Sequence, residues 1–143
     1  MSQPFVLRDY QNQAVEASLA HFRSSDDPAV IVLPTGAGKS LVIAELSRLA
    51  KGRVICLAHV KELVEQNHAK FLATGSSAGI FSAGLSQKTS SAKTTFASIQ
   101  SISASLTAFD DPVSLIIIDE CHRVSMEESG QYNKTIEHFK TLN

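Results

Sequence analysis

The chain has 143 residues, 43% of them hydrophobic and 19% charged, with a formal net charge of −1 and two cysteines. That length makes one domain able to bury about two thirds of its unfolded surface, and the composition excludes a disordered chain. The near-neutral balance excludes a polycation dedicated to nucleic acid, so any polynucleotide contact must be local.

No apolar run approaches the roughly 18 residues of a membrane span, and Met1-Ser2-Gln3-Pro4 lacks a basic, apolar secretory start. The expected address is cytoplasmic, with no membrane partner. Cys56 and Cys121 have no C-x-x-C spacing and lie in or beside apolar runs. They are expected to be buried or semi-buried thiols, without disulfide or zinc.

Near the start, Phe5 to Gln11 leads into a helical pattern of Tyr10, Ala14, Val15, Ala17, Leu19 and Phe22, closed by the loop Ser24-Ser25-Asp26-Asp27-Pro28. A helix ahead of the first strand serves as a lid packed on the sheet edge. Arg8 and Gln11 have further chemistry: a guanidinium stacks on a ring, and a side-chain amide donates and accepts at once, as adenine's edge requires.

Ala29 to Leu33 is a short apolar, β-branched run, and Leu41 to Ala50 repeats apolar residues at helical spacing. Between them lies Pro34-Thr35-Gly36-Ala37-Gly38-Lys39-Ser40, so its glycines sit at a strand-to-helix turn. Without Cβ atoms at Gly36 and Gly38, backbone N–H groups can converge on an anion at the positive end of the helix dipole. Lys39 supplies a point charge for β- and γ-phosphates, and the Ser40 hydroxyl can ligate Mg²⁺. The general pattern has glycine where this chain has Leu33.

Lys51-Gly52 stops that helix, and Arg53 to Ala58 is a second apolar strand, which makes the two strands a parallel pair. Val60 to about Ala73 reads as a helix. His59 and Lys61 sit at its start, on the edge where open α/β sheets bind ligands, although a solvated loop explains them equally well. Thr74 to Ser91 is rich in Gly and Ser, with Ile80-Phe81 as a minor strand. Lys93 to Ser98 reads as a strand, and Ile99 to Phe109 as a helix with Ile102, Leu106 and Phe109 on one face.

Val113 to Ile118 is the strongest buried-strand signal, and it runs into Asp119 and Glu120. Two carboxylates at the tip of a buried strand are costly unless something cationic lies opposite. Downstream of a phosphate loop both acids have a chemical use, Asp119 to hold Mg²⁺ and Glu120 to orient and deprotonate an attacking water. Ser129 to Leu142 closes the chain as a helix with Tyr132, Ile136 and Phe139 inward.

Leu7-Arg8-Asp9-Tyr10-Gln11, Pro34 to Ser40, Ala58-His59-Val60-Lys61-Glu62-Leu63-Val64-Glu65-Gln66 and Asp119-Glu120-Cys121-His122 together resemble the first RecA-like lobe of superfamily 2 DEAD/DEAH-box helicases, in a DECH variant. The resemblance implies an α/β P-loop NTPase fold: a RecA-like parallel sheet with helices on both faces over residues 1–143, preceded by a Q-motif-like segment at 5–23. It implies ATP and Mg²⁺ as cofactors. Arg8 and Gln11 would read adenine, residues 34–40 would hold the phosphates, and Asp119 would hold the metal with Ser40. Glu120 would be the catalytic base, and His122 would couple nucleotide state to the rest of the motor. His59 and Lys61, with Ser98 and Gln100, fall in segments that touch the nucleic-acid backbone in relatives, DNA in preference to RNA.

The chain stops before the Ser/Thr-Ala-Thr strand and the second RecA-like lobe that the resemblance implies as a partner. In such sheets that strand lies between the P-loop strand and the acid-bearing strand, so a gap is expected between Ala29–Leu33 and Leu115–Asp119. The isolated lobe is expected to bind nucleotide with little turnover. The competing reading is a self-contained P-loop switch or kinase. The Asp119-Glu120 tandem discriminates, since water-activating hydrolases need the second acid.

Overall fold

The computed structural model describes residues 7–25, 27–33, 38–89, 92–121 and 125–142. Strand β1 (Val54–Ala58) is apolar throughout and buried throughout, because it is covered on both edges and both faces. It pairs in parallel with β4 (Thr94–Ser98) on one edge and with β5 (Leu115–Ile118) on the other. Beyond β4 lies β2 (Gly79–Ser82), also parallel, and β3 (Gln87–Lys88) adds a short antiparallel edge. The order is β3-β2-β4-β1-β5.

Alternation along the strands divides the core in two. Ile55, Leu57, Phe81 and Ala97 face α4 (Ile99–Ser103) and α5 (Met126–Thr141) through Ile99, Ile102, Tyr132 and Phe139. Val54, Cys56, Ala58, Ile80 and Phe96 face α2 (Lys39–Leu49) and α3 (Lys61–Ala73) through Ile43, Ala44, Val64 and Phe71. The expected α/β architecture, a mainly parallel sheet with helices on both faces, is therefore present. Aromatic edges lock the first layer, with Phe109 4.8 Å from Phe81 and 6.0 Å from Phe139 between ring centroids. Deleting such a ring costs about 3–5 kcal/mol.

Helix α1 (Asp9–Ser24) packs on α2 through Val15, Val42 and Leu46. It is the lid expected from the apolar spacing, although Phe22 is left exposed.

The expected strand at Ala29–Leu33 does not form. Among the described residues, 28–33 pair with no strand, and Val30 and Val32 are 74% and 86% exposed. A β-branched apolar run becomes a strand only where a neighbour offers backbone partners. Among the described residues β5 pairs only with β1, so 29–33 and β5 are not hydrogen-bonded as neighbouring strands. Leu33 and Ile117 still reach the α1–α2 cluster. All four residues of β5 remain half-buried where β1 and β4 are fully buried.

Other expectations shift. The helix over Ile99–Phe109 breaks at Ser103-Ala104-Ser105 into α4 and a 3₁₀ turn at Leu106–Ala108, since serines compete for the backbone groups that a helix needs. Ile102 and Phe109 are nonetheless fully buried. Helix α5 starts at Met126, three residues early, because Ser125 and Glu128 form a reciprocal capping box. Cys56 is buried, and burial pushes its thiol up to about 12; Cys121, just past the sheet edge, is exposed instead. Among the described residues no helix is long and apolar enough to cross a membrane.

Candidate active site

The residues singled out by chemistry converge at the carboxyl ends of β1, β4 and β5, where parallel sheets place ligands. Gly38 caps α2 with φ +74°, a left-handed conformation that favours glycine. A Cβ there would also run into the Gln11 amide. The turn therefore delivers Lys39 and Ser40 as the first residues of a helix, on its positive end.

Lys39 Nζ lies 2.7 Å from Asp119 Oδ1 and donates to Glu120 Oε1. Burial works against its charge, but the pairing with Asp119 and Glu120 outweighs it and raises the ammonium above its ordinary value. Asp119 is 3% exposed. Its backbone N–H donates to the Leu57 carbonyl at 2.9 Å, carrying the β5 pairing one residue past the strand. A carboxylate this deep is tolerated because Lys39 meets its charge and Asn67 donates to its second oxygen. Glu120 then turns sharply, with φ +56°, a left-handed setting that costs a non-glycine residue about 1–2 kcal/mol. That turn brings its carboxylate back over Lys39.

The second Asp119 oxygen has a partner that sequence reasoning missed. Asn67 Nδ2 donates to Asp119 Oδ2 at 2.8 Å, and Asn67 Oδ1 accepts from Ser40 Oγ at 3.0 Å. A signal for it exists. Asn67 is a polar residue in the buried stripe Val64–Asn67–Phe71 of α3, and a buried amide on an apolar face must have specific partners.

Ser40 Oγ and the Asp119 carboxylate are hard oxygen donors and fit Mg²⁺. The described residues hold no group of three His, Cys, Asp or Glu side chains able to cage a metal. A Mg²⁺ ion bound with a nucleotide needs none, because it takes one or two protein oxygens and completes its shell with phosphate and water.

Known proteins resemble this chain in sequence and in fold. Residues 4–142 match the family model described as "Type III restriction enzyme, res subunit". The chain belongs to that family. It is 28% identical over 152 aligned positions to the Saccharomyces cerevisiae protein named "Putative ATP-dependent helicase IRC3", covering 94% of this chain and 21% of that protein. The fold matches the UvsW helicase of bacteriophage T4 at a TM-score of 0.73 and 20% identity, over 99% of this chain and 52% of that one. A nuclease-deletion mutant of the Type ISP restriction-modification enzyme LlaGI, solved with a DNA substrate mimic, matches at a TM-score of 0.60 and 20% identity, over 96% and 16%. The chain thus spans about a fifth of its curated relative and about half of UvsW. It has the fold of the UvsW helicase over 99% of its length.

Within this res-subunit domain, Gly38, Lys39, Ser40, Asp119 and Glu120 lie together. Pro34, Thr35, Gly36, Ala37 and His122 lie outside the described residues. Arg8 caps α1, and its guanidinium donates to the Tyr10 hydroxyl at 3.3 Å. Gln11 is only 2% exposed. Its Oε1 accepts from Arg8 N–H at 2.8 Å and its Nε2 donates to the Gly38 carbonyl at 3.2 Å. The amide expected to face a base therefore ties the lid helix to the phosphate loop in this conformation.

The expected nucleic-acid segments also share one edge, since Ala58 and Ser98 are register partners. Gln100 Nε2 donates to the His59 carbonyl at 3.0 Å and to Glu128 Oε2 at 3.2 Å. Lys61 is exposed and His59 half-exposed. Ser98 departs from expectation: it is buried, and its hydroxyl donates to Ser101 Oγ at 2.9 Å. A serine in that turn satisfies its hydroxyl locally, which removes it from the accessible edge.

Proposed function

We propose that this chain is the ATP-binding and ATP-hydrolysing lobe of a superfamily 2 DNA helicase or translocase, working in the cytoplasm with a second RecA-like lobe of the same protein. The observation that carries the reading is Lys39 set against both Asp119 and Glu120, with Ser40 linked to Asp119 through Asn67. On nucleotide binding Lys39 exchanges carboxylate partners for the β- and γ-phosphates. That exchange frees Glu120 to orient a water and accept its proton. Mg²⁺, held by Ser40 and Asp119, would neutralise charge on the same phosphates. Residues 34–37 would complete the phosphate cradle, and His122 would report nucleotide state to the motor.

DNA is the favoured polymer because LlaGI, a similar fold, is described with a DNA substrate mimic. Lys61, His59 and Gln100 supply the polar edge for its backbone, although Glu128 beside Gln100 reduces the positive field there. A role in DNA repair rests on wording: VLPTGAGKSLVIAELSRLAKGRV, LAHVKELVEQNHAK and IIIDECHR are similar to bacterial RadD, a DNA-repair ATPase. The reading is tested by ATP hydrolysis of the full-length protein with and without DNA. Stimulation by DNA above that by RNA is expected, and a rate indifferent to both polymers contradicts it.

Base choice is assigned to Gln11, which must release Gly38 to reach an adenine edge. Gln11→Ala is expected to lower the preference for ATP over GTP in a binding competition while leaving triphosphate affinity within a few-fold. An unchanged ratio would make Gln11 solely a tether between lid and loop.

A further inference from the structure

We infer that Asn67 is a positioning residue that presets the Mg²⁺-binding geometry by joining Ser40 to Asp119. The inference rests on the nucleotide reading above and extends it to a residue of α3 outside the phosphate loop and the acid pair. Asn67 is 4% exposed, and its amide bridges three elements: the start of α2, the body of α3 and the tip of β5.

The direction of the bridge follows from chemistry. A carboxylate only accepts, so Nδ2 must face Asp119 and Oδ1 must face the Ser40 hydroxyl. The Ser40 proton is thereby aimed at Asn67, which leaves the oxygen's lone pairs pointing elsewhere. The carboxylate plane is pinned through Oδ2, and Oδ1 is left toward Lys39. Both candidate metal donors are thus oriented by one side chain. An aspartate at 67 would set two carboxylates against each other, and an aliphatic residue would leave Asp119 Oδ2 without its donor. The Asn67 amide satisfies both ends. Partners of this kind, which orient ligands without touching the metal, typically govern metal affinity by 10–100-fold.

The test measures ATP binding by this chain as a function of Mg²⁺, and in EDTA, for wild type, Asn67→Leu and Asn67→Ser. Thermal melting accompanies each variant. Both variants are expected to bind Mg²⁺-free ATP within about twofold of wild type while needing about tenfold more Mg²⁺ for the same enhancement. In a Ser40→Ala background the Asn67→Leu effect should shrink, because one end of the bridge is already gone. An unchanged Mg²⁺ requirement in a folded variant overturns the inference. Failure of both variants to fold also overturns it, by making Asn67 a purely structural residue. Absence of any ATP binding by the wild type would overturn the nucleotide reading itself and the inference with it.

Discussion

Lys39→Ala is expected to weaken Mg²⁺-ATP binding by about tenfold or more, since hydrogen bonds to charged groups contribute about 1.5–3 kcal/mol each. The same substitution acts without nucleotide. It leaves Asp119 buried with its cation removed. Breaking a fully buried pair costs about 3–5 kcal/mol, and the exposure of the lysine stem reduces this toward the about 1 kcal/mol of a surface pair. The folded-state ammonium is raised above 10.5, so its contribution is fully present below that value and is lost as pH rises through the folded-state value. The melting-temperature difference between wild type and Lys39→Ala should therefore stay constant from neutral pH up to about 10 and shrink in more alkaline solution. A difference that vanishes at neutral pH would contradict the pairing.

Glu120→Gln is expected to abolish turnover by the full-length protein while sparing nucleotide binding. General-base catalysis contributes about 10²–10⁴ in rate. The amide keeps the size of the carboxylate but cannot accept a proton from water. Single-turnover hydrolysis should fall at least about 100-fold with ATP affinity changed only a few-fold. Retained turnover would move the base elsewhere.

The site was legible where function constrains local chemistry. Gly38, Lys39 and Ser40 stand out as a glycine turn with a cation and a hydroxyl at a helix start, and Asp119 and Glu120 as acids at the tip of an apolar strand. The core was legible from periodicity: Val64 and Phe71 on α3, and alternate residues of β1, face where spacing puts them. What spacing could not reveal depends on partners distant in the chain. Val30 and Val32 have strand propensity but no neighbouring backbone to pair with. Ser98 has a polar side chain that a local turn consumes. Asn67 has no significance until α3 is laid between Ser40 and Asp119. The break after Ser103 reflects competition for backbone groups that a hydrophobic pattern does not record.

Lys39, Ser40, Asp119 and Glu120 are proposed to form a Mg²⁺-nucleotide site. Its most direct test is calorimetric titration of this chain with ATP in the presence and absence of Mg²⁺, with Lys39→Ala alongside. Saturable one-site binding that Mg²⁺ strengthens and Lys39→Ala weakens at least about tenfold is expected. Equal affinity for wild type and Lys39→Ala, or no saturable binding with Mg²⁺ present, would contradict it.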